Sequence, residues 1–284
     1  MIKNYNIKLN KTLLIIFFLF NYYCSFSQDL WTNETADNLD KFNFRIGAFQ
    51  ASRAGLTDRI EFSSNALNNI FSQNIAVKFK LRDRKVIIST KHGINYPKLG
   101  LNVAKNTKFR KWISDTTIIP DVLVFKNELL ISKYFKTCQC CNNVYLITYK
   151  FGVTKNLYKN NLPFQSIKHP LLNHRTEIYN NSYLWNLGID MQGPFLFEWL
   201  EFIIDFDYFR IFATNTEAIE HKTMIRWKFS EKFNFFGGYK IAFNSGYEGK
   251  NFLFFPLVDA VYIFNIPVKP KNGLFKGRIN RKYS

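Results

Sequence analysis

The chain has 284 residues, 18% of them aromatic and 47% hydrophobic, and its 39 Lys and Arg against 21 Asp and Glu give a formal net charge of +18. Beyond the first residues it contains no apolar run of the roughly 18 residues that a membrane-spanning helix needs, which excludes helical membrane proteins. The apolar residues instead alternate with polar ones, and this pattern favours β-strands with one apolar and one wet face.

Residues 1–27 are predicted to be a cleaved secretory signal peptide. Lys3, Lys8 and Lys11 form its basic n-region, residues 13–20 are an unbroken apolar h-region, and residues 25–27, Ser-Phe-Ser, are a small-x-small cleavage site. The apolar run is too short to cross a bilayer as a helix. The sequence therefore predicts export.

The remaining chain divides by composition into three parts. Residues 28–40 are acidic and are predicted to be a short periplasmic lead-in. Residues 41–265 are predicted to be one β-barrel domain. Residues 266–284 form a basic C-terminal tail, for which a solvated terminus and contact with anionic lipid or cell-wall polymer both stay open.

Strict two-residue alternation identifies the strands. In residues 76–82 every second side chain is apolar and those between are basic: Val77, Phe79 and Leu81 against Lys78, Lys80 and Arg82. Many such segments reach about 9 to 12 residues, the length that crosses a bilayer at barrel tilt. Strands are predicted near residues 41–50, 56–64, 75–82, 85–93, 99–105, 121–135, 143–153, 177–191, 197–213, 219–229, 233–244 and 252–265.

These segments predict an all-β fold, a single antiparallel transmembrane β-barrel of about 12 strands. Bacterial barrels have an even strand number, because both chain ends stay in the periplasm, and their periplasmic turns are the shorter ones. Residues 95–98, 192–194 and 230–232 are thus predicted periplasmic turns. Residues 106–120, 154–176 and 245–251 are predicted outer loops. Ten or fourteen strands stay open, since the count depends on the weak segment 99–105.

Charged side chains on the non-aromatic face are expected to line the lumen. Acids on residues 197–212 and bases on residues 219–229 would meet as a ladder of opposite charges if the two strands pair. Such a ladder either fills and rigidifies the interior or forms a constriction that selects permeants. The candidate lumen residues are Lys78, Lys80, Arg82, Lys150, Asp190, Glu201, Asp205, Asp207, Lys222, Arg226, Lys228 and Lys240.

The three cysteines in residues 137–142 are the most unusual local feature. Cys140 and Cys141 are adjacent and would form a strained ring, so Cys138 with Cys141 is the better disulfide pair. Unpaired cysteines, a soft-metal site and a redox role are the alternatives. The spacing is not that of a structural zinc site.

Enzyme motifs are missing from the sequence. A lipid hydrolase would need a Ser and a His on one face, whereas Ser89 and His92, three apart on one strand, point to opposite faces. No glycine-rich phosphate loop follows a strand. Bases and aromatics alternate between faces and form no joint surface for nucleic acid. No catalytic residue, metal, cofactor or nucleic-acid partner is therefore predicted.

The mature chain resembles the uncharacterised outer-membrane β-barrel proteins common in Bacteroidota. The resemblance is carried by residues 25–28, Ser-Phe-Ser-Gln, by the aromatic alternating strands, and by residues 55–62, Gly-Leu-Thr-Asp-Arg-Ile-Glu-Phe, leading towards Lys78. It implies an outer-membrane location, contact with lipid and lipopolysaccharide, and insertion by the barrel-assembly machinery. Such barrels usually finish on an aromatic strand end, whereas here residues 262–264 are followed by the basic tail.

Three functions are compatible with the sequence. The first is a porin-like or structural barrel with a narrow charged lumen. The second is a barrel enzyme that modifies outer-leaflet lipid. The third is a soluble secreted β-protein that binds anionic glycans.

Overall fold

One sheet of twelve strands closes on itself in this computed structural model. The structure describes residues 34–65, 69, 72–106, 116, 118–136, 144–158, 177–180, 183–212, 216–246 and 249–265. The strands are β1 Asn43–Gly47, β2 Ser52–Thr57, β3 Ile60–Ser64, β4 Gln73–Asp83, β5 Ile87–Tyr96, β6 Val124–Lys136, β7 Val144–Asn156, β8 Tyr183–Phe195, β9 Phe197–Ile211, β10 Thr216–Lys228, β11 Phe233–Gly246 and β12 Gly249–Asn265.

Each strand pairs antiparallel with its neighbours in the chain, and β1 pairs with β12 to close the ring. The predicted fold class, an all-β single antiparallel barrel of twelve strands, is therefore confirmed. The predicted signal peptide, basic tail and cysteine cluster, including Cys138 and Cys141, lie outside the described residues.

Alternation decides which surface of the barrel each side chain occupies, because successive residues of a strand point to opposite faces. On β4, Lys78 is 2% exposed whereas the next residue, Phe79, is 39% exposed. On β8, Asp190 is buried and Trp185 is 51% exposed. The wall thus presents large apolar side chains outward and charged ones inward.

The count of twelve strands is right although two assignments behind it are wrong. The predicted strand at residues 99–105 is a helix, α1 Lys98–Asn106, which starts directly after Pro97 and buries Leu101. Proline is compatible with the start of a helix, where its missing N–H would have no partner. The two strands predicted in residues 41–64 are three, β1, β2 and β3, which restores the number. Among the described residues, no helix is long and apolar enough to cross a membrane.

The connections sort into a short-turn end and a long-loop end. At the short-turn end, strands are connected by residues 58–59, 84–86, 196 and 229–232. The predicted turn at residues 230–232 lies at this end. The predicted turn at residues 192–194 lies within β8, and the chain reverses at Leu196, whose φ is 57°. The turn at residues 95–98 was predicted at the same end as residues 230–232, and this is wrong. These residues lie at the long-loop end, because they lead from β5 into α1.

Residues 34–40 enter the barrel and do not form an external lead-in. Ala36 is completely buried, and its backbone N–H donates to Ser132 Oγ on the inner wall at 2.8 Å. We call residues 34–40 the inner segment. The sequence predicts a periplasmic lead-in over residues 28–40, whereas the acids of residues 34–40 pair with lysines of the inner wall.

Candidate functional site in the barrel interior

Lys150 on β7 holds together three carboxylates that project into the interior from β8 and β9, the next two strands of the wall. Its Nζ lies 2.8 Å from Asp190 Oδ1, 2.6 Å from Asp205 Oδ1 and 2.6 Å from Asp207 Oδ1. Lys222 Nζ lies 2.8 Å from the other oxygen of Asp205. We call these five residues the central cluster.

The strand register explains how one lysine reaches two strands away. Lys150 pairs with Gly188, and Gly188 pairs with Asp207, so the three lie in one row across β7, β8 and β9. A Cβ on Gly188 would fall 2.4 Å from Lys150 Cε and 2.0 Å from Asp207 Oδ1. The absence of a side chain at position 188 therefore opens the path for the lysine.

Two further charge groups continue the ladder along β9, β10 and β11. Lys240 Nζ lies 2.7 Å from Glu220 Oε2, with both side chains buried. At the short-turn end, Glu201 forms ion pairs with Arg226 and Lys228. Acids of β9 and bases of β10 meet because the strands are adjacent and Lys222 pairs with Asp205 in register.

A second buried cluster lies on the opposite part of the wall. Arg53 on β2 donates to both oxygens of Glu61 on β3 at 2.7 and 2.9 Å, and Lys78 Nζ lies 3.3 Å from the same carboxylate. The backbone N–H of Leu39 also donates to Glu61 Oε2 at 2.7 Å. This cluster therefore joins the wall to the inner segment.

The main chain of the inner segment binds to side chains of the wall. Lys78 Nζ donates to the carbonyl oxygens of Thr35 at 3.0 Å and Asp37 at 2.6 Å. The Ser89 hydroxyl donates to the carbonyl of Ala36. These bonds satisfy backbone groups that have no strand partner and would otherwise be buried at a cost.

Its acidic side chains also pair with wall lysines. Glu34 forms an ion pair with Lys91 on β5, and Asp37 Oδ1 lies 2.6 Å from Lys80 Nζ on β4. The backbone N–H of Glu34 approaches Asp190 Oδ2 of the central cluster at 3.3 Å. The inner segment therefore runs from the short-turn end to the central cluster.

The turn between β1 and β2, residues 48–51, folds inward on the other side of the lumen. Asp259 Oδ1 and Oδ2 accept from the backbone N–H groups of Phe49 at 2.9 Å and Gln50 at 3.1 Å. Phe49 packs into an apolar group that fills this part of the interior and includes Ile203, Met224, Phe236, Leu257 and Val261.

A cavity of about 110 Å³ lies between these fillings and the long-loop end. Its lining includes the polar residues Asn74, Asn95, Lys126, Glu128, Thr154 and Asn186. It also includes the apolar residues Val124, Ile178, Tyr179, Leu184 and Phe209. The cavity can therefore receive a molecule with both an apolar and a polar part.

The predicted lumen residues occupy three kinds of position. The buried ones are Lys78, Lys150, Asp190, Asp205, Lys222 and Lys240. Lys80 and Asp207 also pair inside the barrel. Glu201, Arg226 and Lys228 are more exposed and gather at the short-turn end.

Arg82 is the exception to this interior placement. The register of β4 shifts between Lys80 and Arg82, so that Arg82 lies opposite Ile88 while Ser89 and Ile87 face inward. A bulge adds one residue and reverses the alternation beyond it. Arg82 is consequently exposed and outside the lumen set.

Several interior residues were missed by the sequence reasoning: Arg53, Glu61, Lys91, Glu128, Glu220 and Asp259. Glu220 could have been found, since it shares the face of Lys222 two residues on. Arg53 and Glu61 lie on strands of six and five residues, too short to display a period.

Comparisons with known proteins give structural likenesses only. No family model and no curated protein matches the sequence. An outer membrane channel of Pseudomonas putida F1 is 9% identical, with a TM-score of 0.47, over 82% of this chain and 100% of that one. OmpT of Vibrio cholerae is 9% identical, with a TM-score of 0.38, over 75% of this chain and 64% of that one. A loop-deletion mutant of OmpT is 8% identical, with a TM-score of 0.36, over 78% of this chain and 62% of that one. The chemistry of the interior is therefore the basis for inferring a function.

Proposed function

We propose that the chain is an outer-membrane channel whose lumen is closed by its own inner segment. The outward side chains on the long strands are apolar and aromatic, as lipid requires, and the inward ones are charged. A soluble protein rarely exposes so continuous an apolar surface. Outer-membrane lipid and lipopolysaccharide are the proposed surroundings, and the barrel-assembly machinery is the proposed insertion partner.

The observation that carries the channel proposal is how the inner segment is held. It is attached by ion pairs and single hydrogen bonds such as Lys80–Asp37 and Ala36–Ser132, and it forms no strand of the sheet. A segment held in this way can leave without breaking the barrel. Twelve strands lie between the eight that enclose only side chains and the sixteen that leave an aqueous channel, so removing a chain segment would open a narrow path.

Conductance in planar bilayers tests this proposal. Replacing residues 34–40 by a glycine-serine sequence of equal length removes the Glu34 and Asp37 ion pairs, and we expect single-channel conductance to rise severalfold over the unaltered chain. Glu201→Gln, which changes a charge at the short-turn end, serves as the control and should leave the closed state in place.

A reversible cross-link makes the test independent of deletion. Ala36→Cys with Ser132→Cys, in a chain whose Cys138, Cys140 and Cys141 are Ser, should be silent when oxidised and conduct more when reduced. Absence of current from both the glycine-serine variant and the reduced chain would refute the channel and leave a structural barrel.

Membrane insertion is tested separately by fractionation. The chain should sediment with outer membranes and migrate differently on a gel before and after heating, because an intact barrel remains folded in detergent. Recovery in the soluble fraction would contradict the location.

A further inference from the structure

Two cations mark the long-loop border of the apolar outer surface. On β7 the outward residues over 145–153 are apolar or aromatic, and the next outward residue is Lys155. On β9 the outward residues over 200–208 are apolar or aromatic, and the next is Arg210. Residues 145 and 155, and likewise 200 and 210, are ten apart. Ten residues at barrel tilt rise about 25 Å, which is the height of the apolar band of an outer-membrane barrel.

The strand register places these cations on the two sides of β8. Lys155 lies opposite Tyr183, and Arg210 lies opposite Trp185. Neighbouring strands are about 4.8 Å apart, so the backbones of the two cations are separated by at least about 10 Å across β8. Tyr183 and Trp185, on the strand between them, are 46% and 51% exposed. We call these four residues the outer patch.

Both cations of the outer patch keep donors for an anion. Lys155 Nζ lies 4.6 Å from the ring centroid of Tyr183, and Arg210 Cζ lies 5.1 Å from that of Phe212. Contact with a ring face leaves N–H groups of an ammonium or guanidinium available. Glu217 Oε1 is 3.7 Å from Arg210 Nη1, and the two side chains are 43% and 41% exposed. Such an exposed ion pair contributes little, so it does not occupy the guanidinium.

A groove of about 310 Å³ in the outer face adjoins the outer patch. The outward side chains that line it are Tyr208, Ile219, Phe243 and Phe252, which lie opposite one another in one row across β9, β10, β11 and β12. Tyr208 precedes Arg210 by two residues on the same face of β9. The groove thus lies directly beside the cation, on the side of the apolar surface.

We infer that the outer patch and the groove bind lipid A, the phosphorylated glycolipid of the outer leaflet. Its disaccharide carries a phosphate at each end, so Lys155 and Arg210 each donate to one phosphate. The exposed rings of Tyr183 and Trp185 pack on the sugar, and the groove receives an acyl chain. This inference rests on the proposed outer-membrane location, with the long-loop end outside as in other bacterial barrels, and it names the lipid that one part of the wall recognises. It does not require conductance.

A similar cation at the opposite end of the wall gives a matched control. Lys133 on β6 is exposed, and its Nζ lies 4.8 Å from the ring centroid of Phe135. It therefore has the same charge and the same kind of ring contact as Lys155. Its partner across the strand pair is Ile147, so no second cation stands opposite it.

Native mass spectrometry of the full chain in detergent micelles, titrated with lipid A, tests the site. We expect one lipid A per barrel. Lys155→Ala and Arg210→Ala should each weaken it at least about tenfold, the loss expected for one hydrogen bond between charged groups. Lys133→Ala should bind as the unaltered chain does. Each variant should retain its gel shift on heating, which shows that the barrel is folded. Equal binding by Lys155→Ala and Lys133→Ala would overturn the site.

Competition separates lipid A from other sources of phosphate. Dioleoylphosphatidylglycerol has acyl chains but one phosphate, and the deacylated disaccharide bisphosphate has both phosphates but no chain. Each should compete at least about tenfold more weakly than lipid A itself. Trp185→Leu keeps the wall apolar and should weaken lipid A without changing the binding of phosphatidylglycerol. Competition by phosphatidylglycerol or by the deacylated sugar that equals that of lipid A would overturn the inference.

A third pair of variants tests the groove. Ile219→Trp fills it and keeps the surface apolar, so it should weaken lipid A severalfold. Leu129→Trp, also on an exposed outward position but on β6, should not. Equal binding by these two variants would overturn the role of the groove. A barrel without conductance would leave the binding results standing, and a barrel that conducts but binds no lipid A would refute this inference alone.

Discussion

Removing the Lys150 ammonium should destabilise the barrel strongly, because three buried carboxylates depend on it. Its Nζ is within 2.8 Å of Asp190, Asp205 and Asp207, and Lys222 Nζ lies 2.8 Å from the second oxygen of Asp205. Breaking a buried ion pair from one side costs about 3–5 kcal/mol. At 4 kcal/mol the unfolding equilibrium changes by roughly a thousandfold.

Urea unfolding in lipid vesicles, followed by tryptophan fluorescence, measures this loss. With a slope of about 2 kcal/mol per molar urea, Lys150→Met should lower the midpoint by about 2 M. Lys133→Met is the matched control, since Lys133 is exposed on β6, and surface substitutions usually change stability by less than about 0.5 kcal/mol.

Neutralising the carboxylates that Lys150→Met leaves without a counter-charge should recover part of the lost stability. Lys150→Met combined with Asp190→Asn and Asp207→Asn removes the uncompensated charges and should unfold at a higher urea concentration than Lys150→Met alone. A single variant as stable as Lys133→Met, or a triple variant less stable than the single one, would refute the reasoning.

Two further results are expected. Gly188→Ala should lower stability by about 1–3 kcal/mol, because its Cβ would fall 2.0 Å from the nearest carboxylate oxygen of the central cluster. Gly237→Ala has open space around its Cβ and should be near neutral. Equal urea midpoints of the two variants would contradict this. At the long-loop end, hydrogen bonds from Lys98 and Tyr96 lower the pKa of Asp121. Their contribution to stability is therefore present above the ordinary carboxyl pKa and is lost as pH falls through the depressed one. Lys98→Met should raise the pKa of Asp121 in an NMR titration, and an unchanged pKa would contradict the pairing.

The outward and inward faces could be read from the sequence wherever a strand is long. Side chains of a strand alternate with a period of two, and β4 shows this from Val77 to Lys80 without interruption. Twelve strands followed from counting such segments. The count was reached through one false strand, because Leu99, Leu101 and Val103 of α1 alternate as in a strand, and one missed strand, because β1, β2 and β3 are each too short to show a distinct period.

Positions that depend on contacts far apart in the chain could not be predicted. The bulge that turns Arg82 outward is a property of the β4–β5 register. Asp259 is an acid within an apolar strand, and its carboxylate accepts hydrogen bonds from the turn at residues 48–51. No local sequence pattern connects that turn to Asp259. The inner segment looks like a solvent-exposed acidic stretch until the wall lysines opposite it are known.

That apolar and charged side chains occupy opposite surfaces of a sheet follows from the sequence alone, since alternation is a local property of extended backbone. How the interior is filled and where the short strands β1, β2 and β3 end are properties of the fold. Both depend on which strands are neighbours and where each stops along its neighbour, and these are long-range pairings. The closed lumen and the cavity beside Glu128 both follow from that register.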